Sequence, residues 1–269
     1  MVIERLCSGS RTSIARVVLF DFDGTLSLLR AGWVDVMVPM MVEILADLKT
    51  GESESDLRAR VKDYVAELTG KQTIYQMIEL AKQVEARGGR PLEPLAYKKI
   101  YHDRLMEKIR HRRGALRQGK ESPDKYLVPG ARNLLDALKE RGLKLYCASG
   151  TDHAYTVEEA KLLQISSYFD GRIYGAQDDY KSFSKAILIQ RMIGSMECRG
   201  DELLGFGDGY VEIKNVKEAG GIAVGVATDE PECLKVDEWK RDRLASVGAD
   251  YIIPNFLCRD ELLATLFPK

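Results

Sequence analysis

Two acids stand one residue apart directly after an apolar run. The run is Val17 to Phe20, and the acids are Asp21 and Asp23, followed by Gly24. Short apolar runs rich in β-branched residues are typical of strands buried on both faces of a parallel sheet, whose ligands bind beyond the carboxyl ends of the strands. Two carboxylates this close repel each other unless a cation or a shared proton relieves them. The spacing therefore predicts a bound divalent metal ion or one acid held protonated.

A second strand is predicted to end in an acid. Asp208 follows the predicted strand Leu203–Phe206, and Glu212 lies about one helical turn further if a helix begins directly afterwards. Mg²⁺ prefers oxygen ligands in near-octahedral geometry. We expect the Asp21 carboxylate, the Asp23 carbonyl and Asp208 to bind Mg²⁺, with Glu212 in the same metal site as a ligand or as a group that orients ligands. The alternative is that Asp208 only caps its helix.

Two further groups could hold the oxygens of a phosphoryl group. Ser149 follows the predicted strand 143–148, with Gly150 behind it. A hydroxyl and an unhindered backbone amide suit an anion, although Ser-Gly after a strand is more often a plain turn. Lys185 opens a predicted helix after Ser184, a good N-cap residue. Because a cation in the first turn opposes the helix dipole, Lys185 indicates an anionic partner.

These stretches resemble the signatures of the haloacid dehalogenase (HAD) superfamily, whose members are mostly Mg²⁺-dependent phosphatases that work through an aspartyl-phosphate. Residues 21–26 are similar to its first signature, Asp-x-Asp-Gly-Thr-Leu. Ser149 resembles the second signature, and Asp208 resembles the fourth. Glu212 stands where Asp is commoner in the fourth signature, which leaves its role as a direct ligand open.

The third signature of the superfamily is a lysine, for which the sequence offers two candidates. Lys185 is preferred because it follows an N-cap residue and precedes the helix that leads to Asp208. Lys181 fits relatives in which Pro follows the lysine, but Ser182 stands there instead.

The resemblance also implies roles for the residues. Asp21 would be the nucleophile, and Asp23 would protonate the leaving oxygen and then activate water. Members that break carbon–halogen bonds lack this second acid, so Asp23 points to phosphate esters. The phosphoryl oxygens would be bound by Ser149, Lys185 and the backbone amides near Gly24 and Gly150.

The predicted elements fall into two groups along the chain. Amphipathic helices without intervening strands fill residues 29–125, which predicts a small helical bundle. Alternating strands and helices from residue 126 predict right-handed βαβ units and a parallel sheet. We therefore expect an α/β fold, with a Rossmann-like parallel-sheet core of residues 1–28 and 126–269. Residues 29–125 would form an inserted all-α cap domain, and residues 1–15 a loosely ordered lead-in.

The composition narrows the classes of partner. The 269 residues are 45% hydrophobic and 30% charged with a formal net charge of −1, which favours neither nucleic acid nor an anionic membrane. The stretch from Lys98 to Lys120 contains nine Lys or Arg and two acids. A solvated helix face explains this pattern better than a nucleic-acid site does. No apolar stretch has the length of a membrane span. Five scattered cysteines without a C-x-x-C pair predict a cytoplasmic protein.

We therefore predict a Mg²⁺-dependent phosphatase that hydrolyses a small phosphorylated metabolite, a phosphate monoester, through an aspartyl-phosphate. One alternative is a phosphotransferase of the same superfamily, such as a sugar-phosphate mutase, which differs only in the acceptor. Another is a non-catalytic phospho-acceptor module of the receiver type. Such modules are much shorter and carry no helical insertion after the first strand.

Overall fold

The strands form one mostly parallel sheet. The computed structural model describes residues 3–7, 13–177, 179–180, 183–195, 197–230 and 232–268. In these ranges seven strands run in the order β1-β7-β6-β5-β2-β3-β4, and only β1 is antiparallel to its neighbour. Their bounds are β1 Glu4–Arg5, β2 Val17–Phe20, β3 Lys144–Asp152, β4 Ile173–Ala176, β5 Leu203–Gly207, β6 Ile222–Val226 and β7 Tyr251–Ile253.

The helices fall in two compact units of the chain. Gly32–Arg112 form one unit, and Met1–Ala31 with Arg113–Lys269 form the other, which contains the sheet. No helix in the described ranges is long and apolar enough to cross a membrane. The α-helices are α1 Val34–Ala46, α2 Glu54–Glu67, α3 Thr73–Ala86, α4 Pro94–Arg117, α5 Ala131–Glu140, α6 His153–Leu162, α7 Lys185–Gly194, α8 Tyr210–Glu218, α9 Glu238–Ser246 and α10 Arg259–Leu266.

Both faces of the sheet are buried. Successive residues of a strand point to opposite faces, so burial of neighbouring residues means that each face is covered. Val18 and Phe20 of β2 contribute to one hydrophobic cluster, while Val17 and Leu19 contribute to the other. Phe20 stacks on Phe206 of β5 with ring centroids 4.8 Å apart. This confirms the predicted α/β fold with a Rossmann-like parallel sheet.

The order of the strands creates a switch in chain direction at β2. From β2 the chain continues to β3 and β4 on one side, then crosses to β5 on the other side. Ligands of open α/β sheets bind at such a switch, outside the carboxyl ends of the strands. The acid pair after β2 and Asp208 after β5 both follow strands that meet there.

The chain leaves the sheet unit and returns to it at adjoining points. Ser27 and Leu127 form an antiparallel bridge. The amide of Leu28 donates to the Tyr126 carbonyl at 2.9 Å, and the amide of Val128 donates to the Leu26 carbonyl at 3.0 Å. The intervening segment can therefore be an insertion that leaves the sheet continuous.

The helical unit has its own core. The Met-rich α1 buries Met37, Met40 and Met41 among aliphatic and tyrosine side chains of α2, α3 and α4. Several basic residues of α4 lie in ion pairs, including Lys99 with Asp103 at 2.6 Å and Arg104 with Glu43 at 2.8 Å. These pairs support the interpretation of the basic run as a solvated helix face.

Three local predictions differ from the structure. Glu4–Arg5 do not belong to a loose lead-in but pair with β7, and Glu4 also forms an ion pair with Arg241 of α9. The strand predicted to end before Ser149 continues to Asp152, because it regains pairing with β4 after a shift in register. Helices α9 and α10 were not predicted, since their hydrophobic periodicity is weak.

Candidate active site

Strand register brings three predicted site residues to one edge of the sheet. Phe20 pairs with Cys147 of β3 and with Phe206 of β5. Asp21 therefore lies beside the stretch that leads to Ser149 on one side and to Asp208 on the other. Its amide donates to the Phe206 carbonyl at 2.9 Å, which extends the pairing with β5 one residue beyond β2.

Lys185 contacts the predicted nucleophile directly. It is the first residue of α7, whose N-cap Ser184 accepts a hydrogen bond from the Ile187 amide at 3.1 Å. The Lys185 Nζ donates to Asp21 Oδ1 at 2.6 Å, and it also forms an ion pair with Glu212 of α8. All three charged side chains are buried. The ion pair places Glu212 beside the predicted site, and its role as a metal ligand or as an orienting group stays a prediction.

Asp208 is held by the loop that follows β2. Thr25 Oγ1 donates to Asp208 Oδ1 at 3.2 Å and accepts from the Asp208 amide at 2.9 Å. Lys240 of α9 places its Nζ 3.5 Å from Asp208 Oδ2 and 3.0 Å from Glu230 Oε1. The backbone of Gly24 has a φ of 78°, and a Cβ there would lie 2.1 Å from Asp208 Oδ2. Only glycine fits this approach without displacing the carboxylate.

Asp23 is oriented by hydroxyl groups of β3. Its Oδ2 accepts hydrogen bonds from Ser149 Oγ at 3.1 Å and from Thr151 Oγ1 at 2.9 Å. Its Oδ1 lies 3.9 Å from Nε of Arg30 and has no hydrogen-bond partner among the described residues. The same Ser149 that was predicted to bind phosphate thus also orients the predicted acid.

Burial dominates the electrostatics of the three aspartates. It raises the pKa of Asp21, although Lys185 acts to lower it, and it raises the pKa of Asp23. Burial also raises the pKa of Asp208 to about 6, with Lys240 opposing and the charge of Asp21 adding to the rise. Burial favours the neutral amine of Lys240, but the charges of Asp208 and Glu230 outweigh it and raise its pKa. Desolvated acids that repel each other are a favourable setting for a cation.

The residues present fit a Mg²⁺ ion. Among the described residues no group of three or more His, Cys, Asp or Glu side chains is arranged to hold a metal. With Glu212 as an orienting group, the predicted ligands are the carboxylates of Asp21 and Asp208 and the carbonyl of Asp23, which do not require such a group. Glu212 as a direct ligand would add a third carboxylate. Burial is the main cause of the raised pKa of both aspartates, and repulsion from a neighbouring carboxylate adds to it, from Asp23 on Asp21 and from Asp21 on Asp208. A hard divalent cation with oxygen ligands would relieve this repulsion.

We expect Gly24→Ala to impair the site well beyond its effect on the backbone. The left-handed φ costs a residue with a Cβ about 1–2 kcal/mol, and the new methyl must also push Asp208 away. Gly142→Ala is the matched control, because Gly142 has a φ of 74° but nothing within 4 Å of its Cβ position. Thermal unfolding should show the backbone cost alone in Gly142→Ala and a larger loss in Gly24→Ala. Catalytic activity should fall only in Gly24→Ala, and equal activity in the two would mean that Asp208 need not stay in place.

The sequence matches the family model of haloacid dehalogenase-like hydrolases over residues 15–220. The chain belongs to this family. The match covers β2, the segment 29–125, and the sheet as far as the end of α8. Every predicted site residue of the hydrolase falls inside it, from Asp21 to Glu212. No curated protein matches the sequence.

Solved structures of similar fold include other HAD proteins. A predicted phosphoglycolate phosphatase from Haemophilus somnus is 16% identical, with 92% of this chain and 97% of that chain covered and a TM-score of 0.59. A haloacid dehalogenase-like family protein from Streptococcus pneumoniae is 19% identical, with 93% and 97% covered and a TM-score of 0.58. A β-phosphoglucomutase from Clostridium difficile is 15% identical, with 87% and 98% covered and a TM-score of 0.54. At these identities the likeness concerns the fold.

The structure adds residues that the sequence motifs did not single out. Thr151, Arg30 and Lys240 contact the predicted aspartates, and Glu159 holds Arg30. None of these four residues belongs to a recognisable sequence motif. Gly150 lies within β3 directly after Ser149. The alternative lysine, Lys181, lies outside the described residues.

Proposed function

We propose that this HAD-family hydrolase is a Mg²⁺-dependent phosphatase that cleaves the phosphate monoester of a small metabolite in the cytoplasm through an aspartyl-phosphate on Asp21. The observation that carries the proposal is the contact of the Asp21 carboxylate with Lys185 at 2.6 Å, at the chain switch where Asp23 and Asp208 also lie. A carboxylate beside a fixed cation suits in-line attack on phosphorus.

The proposed reaction uses each side chain for one task. One carboxylate oxygen of Asp21 attacks phosphorus, and the bond between phosphorus and the leaving oxygen breaks. Lys185 and Ser149 stabilise the charge on the transferring oxygens, together with the amides near Gly24 and Gly150. Asp23 donates its proton to the leaving oxygen, then takes a proton from the water that hydrolyses the aspartyl-phosphate.

Bound Mg²⁺ would supply positive charge that lowers the repulsion between Asp21 and the phosphate. Asp21, the Asp23 carbonyl and Asp208 would hold it, and Glu212 would keep Lys185 and the ligands oriented. The inserted segment 29–125 would act as the cap that selects the metabolite.

Release of inorganic phosphate tests this function. We expect the purified protein to release phosphate from p-nitrophenyl phosphate only when Mg²⁺ is present, and a panel of phosphorylated metabolites to identify the preferred ester. Absence of release from every ester with Mg²⁺ present would reject the phosphatase. Phosphoryl transfer to a sugar hydroxyl in place of water would reassign the protein as a phosphotransferase.

Asp208→Ala tests the proposed metal site. We expect its Mg²⁺ affinity, measured by calorimetric titration, to fall by more than about 10²-fold, since even outer partners of metal ligands commonly contribute 10–100-fold. Glu230→Gln is the control, because it removes the other acid that holds Lys240 and leaves Asp208 intact. Unchanged affinity in Asp208→Ala would make Asp208 a helix cap and no ligand.

A further inference from the structure

A buried ion pair stands behind the predicted acid of the site. Arg30 donates from Nε to Glu159 Oε2 and from Nη2 to Glu159 Oε1, both at 2.9 Å. Glu159 has no exposed surface, and Arg30 is only 7% exposed. The Arg30 guanidinium also lies over the Tyr155 ring, 5.9 Å from its centroid. Such a two-bond arrangement fixes the guanidinium in one orientation.

The position of this pair is tied to Asp23. Arg30 comes seven residues after Asp23, and its Nε lies 3.9 Å from Asp23 Oδ1. The opposite oxygen, Oδ2, is already held by Ser149 and Thr151. The Asp23 carboxyl is therefore contacted on both sides. Two hydroxyl groups hold Oδ2, and the Arg30 guanidinium faces Oδ1 without a hydrogen bond to it.

Stability alone gives little reason for this pair. A buried ion pair contributes less than well-packed apolar residues of the same volume would, because both charges lose their hydration. Its carboxylate, Glu159, lies on α6 among residues that face the core, where an apolar side chain would be expected. The pair is explained if the orientation of the Arg30 guanidinium serves the neighbouring Asp23.

We propose that Arg30, held by Glu159, is a positioning residue that fixes the orientation of the Asp23 carboxyl, the group that would protonate the leaving oxygen of the substrate. This inference rests on the proposed phosphatase function. As the phosphorus–oxygen bond breaks and the bond to Asp21 forms, the proton on Asp23 passes to the departing oxygen. In this role Arg30 acts through Asp23 and takes no part in making or breaking a bond.

The dependence on the leaving group tests this role. Phenolate is a poorer leaving group than p-nitrophenolate and needs the proton more. In Arg30→Lys and Glu159→Gln we expect kcat/KM for phenyl phosphate to fall about 10²-fold, the scale of a misplaced catalytic group. For p-nitrophenyl phosphate we expect only a few-fold decrease. Mg²⁺ affinity should not change, because Asp21, Asp208 and the backbone carbonyl of Asp23 stay in place and only the Asp23 side chain is released.

Glu158→Gln is the matched control. Glu158 is the neighbouring acid on α6 and pairs with Arg113 at 2.6 Å, away from Asp23. The Glu158→Gln variant should leave kcat/KM for both esters, and the ratio of the two values, unchanged. If Glu159→Gln unfolds, the double variant Arg30→Met, Glu159→Leu removes both buried charges, and it should still lose the phenyl ester selectively.

Two results would overturn the inference and are distinguishable. Equal decreases for the two esters, or none, in a folded variant would reject positioning of Asp23 while leaving the phosphatase intact. If the wild-type protein hydrolyses neither ester with Mg²⁺ present, the proposed function fails and this inference fails with it.

Discussion

Asp21→Asn should abolish turnover in a protein that remains folded. The amide keeps the volume of the side chain but cannot attack phosphorus, and loss of a nucleophile commonly lowers kcat by a factor on the order of 10⁴–10⁶. Burial raises the pKa of Asp21, which means that its negative charge lowers the free energy of unfolding. The metal-free variant should therefore unfold at a temperature no lower than the wild type.

Two measurements complete this test. Acid-quenched wild-type protein should carry one phosphoryl group by mass spectrometry during turnover, and the Asp21→Asn variant should carry none. Asp250→Asn is the matched control, since Asp250 is a buried carboxylate of the same sheet unit that accepts from Lys217 Nζ and the Ala223 amide. It should lose stability and keep its turnover. Normal turnover in folded Asp21→Asn would reject the covalent mechanism.

Lys185→Ala should reduce both catalysis and stability. Loss of a charge-assisted contact to the transferring phosphate commonly costs about 10²–10³ in rate. The variant also leaves the buried carboxylates of Asp21 and Glu212 without their cation, which typically costs about 3–5 kcal/mol of the free energy of unfolding. Both quantities can be measured, by kinetics at saturating Mg²⁺ and by denaturant unfolding.

A double variant separates the two effects. Lys185→Ala with Glu212→Gln removes one stranded charge, so it should recover part of the stability but none of the lost kcat. Lys181→Ala, the alternative from the sequence, should lower kcat only a few-fold. The reverse ranking of the two lysines would move the third signature to Lys181. Equally small effects would leave the phosphate without its expected cation and weaken the phosphatase proposal seriously.

The sequence alone determined the fold class and the edge of the sheet at which the predicted acids lie. The apolar run is bounded by the charged residues Arg16 and Asp21, so its strand could be delimited without tertiary information, and β2 matches it residue for residue. Asp21, Asp23 and Asp208 each follow a strand closely, and strands of a parallel sheet end at one edge. The edge of the sheet where these acids lie follows from that rule.

Only the tertiary structure decided which side chains contact those acids. Lys185 lies 164 positions from Asp21, and its contact depends on how α7 packs against α8. Arg30 and Glu159 are 129 positions apart, and neither belongs to a recognisable motif. Lys240 reaches Asp208 from α9, a helix too weakly amphipathic to predict. Local patterns report the period of one element, whereas these contacts arise from the packing of several elements and leave no periodic trace in the sequence.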